Sequence, residues 1–194
     1  MFQNVALLFA ASLTYTIFRY VIFGPETPYQ IPLFLMNKAV SIVATFAFLF
    51  AAWAHWKADH ANLVAWGRVA MHAAGLHILL SLCLLSPGYY AKFFAGERMN
   101  LVGEISMYFG ALTAYAFYLI NRYKAKERLC LMLSIFAGAM LLGHLIAMGW
   151  GGWMKPWDWH GGLPPISLVT AVGALAALLV FAKIYHTVAA THDA

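Results

Sequence analysis

Apolar positions along this chain come in six long runs, and polar positions fall mostly into the breaks between them. The runs cover about residues 2–23, 31–56, 65–86, 98–121, 128–149 and 164–187. Each is long enough to cross about 30 Å of hydrocarbon as a helix. Helix is the expected form, because backbone groups in lipid need partners within their own segment. The runs are too long and too evenly apolar for barrel strands. The breaks read GPETPY, KADHAN, SPGYYAKFFAGERMN, NRYKAKER and GWGGWMKPWDWHGGLPP, and proline and glycine punctuate three of them. The pattern predicts an all-α fold: a polytopic bundle of six transmembrane helices forming one domain over 1–194. The opening MFQNVALLFAASLTY lacks the basic start of a secretory signal, and its apolar run continues past Phe18. It is expected to be a retained first span.

Composition agrees with the pattern. The chain is 63% hydrophobic and 10% charged, with mean hydropathy +0.75, whereas soluble domains carry about 25% charged residues. The net charge of +5 points to membrane orientation rather than to nucleic acid. One side of the bundle would carry Lys57, Arg68, Arg122, Lys124, Lys126, Arg128 and Lys183, and the other Arg19, Lys38, Lys92, Arg98 and Lys155. The cluster from Arg122 to Arg128 is the strongest local signal. It predicts cytoplasmic termini and an outward-facing fifth loop, whose Trp150, Trp153, Trp157 and Trp159 suit an interfacial belt. Cys83 and Cys130 lie in apolar runs near opposite faces, which disfavours a disulfide between them. The expected localisation is an integral protein of a bacterial inner (cytoplasmic) membrane.

Candidate chemistry lies in the histidines. His55, His60, His160, His186 and His192 fall at span ends or in loops and read as solvated or interfacial; no spacing matches a zinc site. His72, His77 and His144 fall inside spans, where a polar side chain is costly and needs a partner. His72 and His77 are five apart, about 140° around a helix, so they cannot both face one cofactor. With Pro87 and Trp150 as the outer span ends, His77 lies about 15 Å deep, His144 about 9 Å and His72 about 22 Å. His77 and His144 are therefore the pair that could grip one haem iron from the third and fifth spans. Each alone reads equally well as a hydrogen-bonded interhelical residue. Ala73, Ala74 and Gly75 precede His77, and Ala137, Gly138, Ala139 and Gly143 precede His144. Such small residues suit a flat ring between helices as well as ordinary helix packing.

Three charges fall early or late in spans on the predicted outer side: Arg19, Lys38 and Glu104. Lys38 and Arg19 are candidates for contact with haem propionates. The alternatives are a Lys38–Glu104 ion pair or snorkelling to the interface. Glu104 as a proton carrier is a weaker reading.

The phrases PLFLMNKAVSI, GLHILLSLCLLSPGYYAKFF, ERMNLVGEISMYFGAL and GWMKPWDWHGGLPPISL resemble bacterial proteins with a ferric reductase-like transmembrane domain. The resemblance covers about residues 28–170 and keeps the segment order. It implies six helices and b-type haem ligated by histidines of the third and fifth spans. Fuller members stack two haems, with paired histidines about four helical turns apart on each helix. His77 and His144 match the outer pair. The inner counterparts fall at Leu63 or Val64 and at Cys130 or Leu131, none a histidine. The resemblance thus implies one haem b in the outer half, with His72 and Cys130 as the alternatives for an unusual second ligand. No flavin- or nicotinamide-binding domain follows the last span, so electron transfer would need a separate redox protein or complex subunit. A quinone is another partner compatible with a single outer haem, and membrane lipid surrounds the whole.

The function expected is that of an integral membrane cytochrome b subunit, an electron-transfer component without a complete reductase active site of its own. Two imidazoles would give six-coordinate iron suited to electron transfer. Two rivals stand beside it. One is a haem-free accessory or assembly subunit of a larger membrane complex. The other is a small-solute or ion transporter using Lys38, Glu104 and His72, though inverted repeats and interrupted spans are not evident.

Overall fold

The computed structural model of the chain describes residues 1–24, 31–123 and 126–192. Most of the GPETPY break, Lys124 of the basic cluster and the side chain of His192 lie outside the described residues.

Among the described residues six α-helices form: α1 (Phe2–Ile17), α2 (Ile31–Trp56), α3 (His60–Cys83), α4 (Leu101–Arg122), α5 (Glu127–Trp153) and α6 (Ile166–His192). A π-helical turn, Phe18–Ile22, prolongs α1. Between α3 and α4 lie a single 3-10 turn, Ala91–Phe93, and a two-residue antiparallel pair, β1 (Phe94–Ala95) with β2 (Arg98–Met99). Gly96 turns this hairpin at φ 66°, a region that side-chain-bearing residues avoid. Two more 3-10 turns, Pro156–Asp158 and His160–Gly162, join α5 to α6.

Among the described residues five helices are long and apolar enough to cross a membrane: Phe2–Ile22, Ile31–Trp56, His60–Cys83, Glu127–Trp153 and His160–Ala190. By length and composition this is a membrane protein. The fourth predicted span is the exception. Its helix, α4, forms at full length, but Glu104, Tyr108, Tyr115 and Tyr118 leave it less apolar than the others.

Several boundaries shift from the sequence expectation, those of the third and fifth helices with a visible cause. The third helix starts at His60, five residues early, because the Asp59 carboxylate caps it by accepting the Asn62 N–H at 3.1 Å. It stops at Cys83, ahead of Pro87. The fifth continues through GWGGW to Trp153, since no proline interrupts it before Pro156.

Packing is uneven, and this positions the site. α2 is the hub, lying against α1, α3 and α6, while α5 lies between α4 and α6. Alanines let the helix backbones close up: Ala39, Ala47, Ala52, Ala137, Ala174 and Ala177 are fully buried. Phe48 fills the centre, edge-on to Phe117 and tilted against Phe181, each at 5.2 Å. By contrast α3 buries only Trp66 and Ala70, barely touches α4, and forms no extended interface with α5. The two helices carrying His77 and His144 are thus held apart, with space between them.

At one end of the bundle the turns knit together. Tyr15 Oη donates to the Pro164 carbonyl at 2.6 Å, Arg19 donates to the Leu163 carbonyl, and Lys92 donates to the Met148 carbonyl. At the opposite end His55 meets Glu127 at 3.5 Å, and Lys183 stacks over Trp56 at 4.8 Å.

Candidate cofactor site

Two adjoining cavities occupy the space left between α3 and α5. The first, a slot of about 410 Å³, is lined by α2, α3, α4 and α5 and is largely apolar. Both His77 and His144 line it. The second, a basin of about 500 Å³, lies toward the knitted end and is lined by Arg19, Lys38 and Lys92 among others. Ser41, His77, Leu145, Met148 and Thr170 border both. Each volume lies within the range of small-molecule and cofactor sites, about 300–1,000 Å³.

Each histidine is fixed from behind. The Nδ1–H of His77 donates to the backbone carbonyl of Asn37 on α2 at 3.2 Å. The Nδ1–H of His144 donates to the backbone carbonyl of Ser106 on α4 at 2.8 Å, with the Ser106 hydroxyl 3.1 Å away. A carbonyl can only accept, so each ring carries its proton on Nδ1 and keeps the Nε2 lone pair free. No hydrogen bond involves either Nε2 among the described residues. A ring held at one nitrogen by a carbonyl, with a bare second nitrogen, is the arrangement that metal-bound histidines use.

The Asn37 carbonyl is itself held in place. The Asn37 side chain is fully buried; its amide donates to Tyr90 Oη at 3.0 Å, and its oxygen accepts from Ser81 Oγ at 3.1 Å. Gly110 on α4 makes room for the other ring: a Cβ there would lie 3.3 Å from His144 Nδ1.

The depths differ from the sequence expectation. Counted from the helix ends, His77 lies six residues in from Cys83 and His144 nine in from Trp153. At 1.5 Å per residue these are about 9 Å and about 14 Å. Their order is reversed, because α3 ends earlier and α5 later than the apolar runs suggest. The mismatch of about 5 Å stays within what helix tilt absorbs.

Other candidates separate. His72 is exposed, bonded back to the Arg68 carbonyl at 2.7 Å, and lines neither cavity. Cys130 sits in the first turn of α5 with its thiol 3.3 Å from the Tyr123 carbonyl, away from both cavities. Cys83 and Cys130 are both free thiols. Glu104 is exposed in the first turn of α4 and forms no ion pair with Lys38. Of the small residues flagged in the sequence, only Ala74 lines the slot; Gly138 packs on Leu178 and Gly143 on Phe109. The slot takes its small residues instead from Ala44 of α2 and from Gly110, Ala111 and Ala114 of α4. No group of three or more His, Cys, Asp or Glu is gathered among the described residues, so the side chains present do not form a metal cage by themselves.

Lys38 and Arg19 both line the basin. The Lys38 ammonium lies 5.2 Å from the Phe34 and Tyr90 rings. Arg19 is buried, and its Nε has no hydrogen-bond partner. Sequence reasoning missed Lys92. Part of its side chain reaches solvent, yet its ammonium end is packed among protein atoms. That burial, with the like charge of Lys38, pulls its pKa down to about 8. Sequence reasoning saw Asn37 as a hydrogen-bonding group without a role, and it missed Ser106, which holds His144, and Ser81 and Tyr90, which hold the Asn37 side chain. Compared with known proteins, the chain matches no family model, no curated protein and no solved structure.

Proposed function

We propose that this protein is an integral membrane cytochrome b subunit that holds one haem in the slot between α3 and α5. One observation carries the reading: two imidazoles on helices kept apart line a single cavity, each anchored through Nδ1 with its Nε2 free. The residues present fit such a group. A haem would ask the protein for only one or two ligands, which His77 and His144 could supply. The slot's apolar walls suit the ring, and the neighbouring cations suit its propionates.

In this role His77 and His144 would hold the haem iron, with Asn37 and Ser106 keeping their rings in register. Lys38 and Arg19 face the propionate edge. When bound, the haem supplies one-electron transfer. The protein's own part is to hold two neutral imidazoles, exclude water with the α2, α4 and α5 walls, and set the potential through burial and hydrogen bonding. Electrons would be exchanged with a separate redox protein, a complex subunit or a quinone in a bacterial inner membrane. The resemblance to ferric reductase-like domains, six crossings and cytoplasmic termini belong to the same proposal. On that orientation the knitted end faces outward.

An absorption spectrum and a haem assay of the purified protein test it. Sharp reduced α and Soret bands with one haem b per chain are expected. Haem-free protein after expression with ample haem, unaltered by loss of either histidine, would return the chain to the accessory-subunit reading.

A further inference from the structure

The basin gathers three cations, and among the described residues none of them meets a carboxylate. Arg19 reaches it from the π-turn after α1, Lys38 from α2 and Lys92 from the loop before β1. The acceptors they have are neutral: the Leu163 carbonyl for Arg19, the Met148 carbonyl for Lys92 and two aromatic faces for Lys38. Asp158 stands on the rim, exposed, and forms no ion pair with any of them. Like charges drawn together in a partly desolvated space repel, and a buried guanidinium nitrogen without an acceptor is costly. Arg19 is 5% exposed, and its Nε is the buried polar atom left without a partner among the described residues. Hydroxyls of Ser41, Ser167 and Thr170 line the same space. The mouth is formed by exposed Gly151 and Gly152 and by the Trp159–His160 turn.

We infer that this basin is a receptor for one oxyanionic group, a phosphate or carboxylate, entering from the end of the bundle where α3 and α5 terminate. Arg19 offers a planar fork suited to two oxygens, and the lysines offer point charges from either side. The group comes from the bulk phase or from an anionic lipid headgroup. Arg19 and Lys38 are the cations offered above to haem propionates, so the inference is made of the haem-free protein and stands without the haem reading.

Equilibrium dialysis of labelled inorganic phosphate against the full chain in nanodiscs tests this. In phosphatidylcholine discs, with chloride holding ionic strength constant, one saturable phosphate per chain is expected. Arg19→Gln should weaken it at least tenfold and Lys92→Gln several-fold, while Lys155→Gln, at the same end but outside the basin, should change it less than twofold. Lys92 lies outside the helices, so its variant serves if Arg19→Gln does not fold. In phosphatidylglycerol discs, loss of phosphate binding assigns the site to a lipid headgroup, and unchanged binding assigns it to a soluble anion. Absence of saturable binding in phosphatidylcholine discs overturns the inference. So does binding indifferent to Arg19 and Lys92. A missing b-type spectrum would sink the haem proposal and leave the haem-free measurement standing.

Discussion

The slot and the basin share five lining residues and follow opposite rules. In the slot the polar groups are few and finished at the back. Each imidazole has its N–H committed to a backbone carbonyl from a neighbouring helix, and one lone pair is left facing space. In the basin the polar groups are numerous and unfinished. Three cations meet carbonyls and aromatic faces, and a buried guanidinium nitrogen has no partner among the described residues. The slot leaves two ring lone pairs open; the basin leaves positive charge without a counter-charge among the described residues. The difference comes from what surrounds each. Helices on all sides can aim carbonyls at a ring, whereas the bundle end supplies cations and backbone carbonyls but, among the described residues, no carboxylate paired with those cations.

The comparison breaks most completely if the slot's two rings are not its function. Replacing His77 or His144 with alanine removes one axial donor and should drop haem from one per chain to below a tenth, read by pyridine haemochrome assay. Loss of the six-coordinate spectrum with partial retention would show that a single ring suffices to hold it. Both variants should keep the helical circular dichroism, since neither ring belongs to the alanine-lined core.

Next in size is the wall behind His144. At Gly110 even a methyl would meet Nδ1 at 3.3 Å, and Ser106 prevents the ring from backing away. Gly110→Leu should reduce haem occupancy several-fold, with the remaining haem showing a broadened Soret band. Ser106→Ala is subtler, because the carbonyl that takes the Nδ1–H remains. Its effect should be a shift in midpoint potential and at most about tenfold in haem affinity, the lower part of the range seen for groups behind metal-bound histidines. If Ser106→Ala matches His144→Ala, the hydroxyl rather than the carbonyl orients the ring.

How much of this was legible beforehand follows from what local pattern can encode. Apolar run length located all six helices, and the cost of an imidazole in hydrocarbon singled out His77 and His144. Run length misjudged where α3 and α5 stop, because caps and prolines, not hydropathy, end a helix. It also missed that α4, dotted with tyrosines, falls short of the other spans in apolarity. Lys92 stayed hidden because its loop reads as ordinary turn chemistry. Its meeting with Met148, 56 residues away, is a property of the fold. The slot's small residues were sought beside the histidines, whereas the wall comes from α2 and α4, across the space the rings face.

The basin can be probed by pH. With the Lys92 pKa lowered to about 8 in the fold and near 10.5 in the unfolded chain, the unfolded state binds more protons between those values. Stability should therefore rise as pH climbs from about 8 toward 10.5, and Lys92→Gln should flatten that rise. Over the same window the anion affinity should fall as the ammonium is lost. A thermal-melt series across pH 7–10 on both proteins reads the first, and phosphate dialysis the second. A melt that falls with pH in the wild type and not in the variant would mean that Lys92 gains a favourable partner on folding.

The smallest effect concerns what holds Lys92 at the basin. Asn100 caps α4 by accepting the Gly103 N–H at 3.0 Å, and its amide donates to the Lys92 carbonyl at 2.9 Å. One side chain thus ties the start of α4 to the loop that delivers the third cation. Losing an N-cap typically costs about 1 kcal/mol. Asn100→Asp keeps the acceptor for Gly103 but not the donor to Lys92, so it should preserve the cap and loosen the loop. Asn100→Ala loses both. If loop placement matters to the basin, both variants should weaken phosphate binding about twofold while only the alanine lowers the melting temperature. Equal loss of stability in both, with phosphate binding unchanged, would show that Lys92 reaches the basin through its Met148 contact alone.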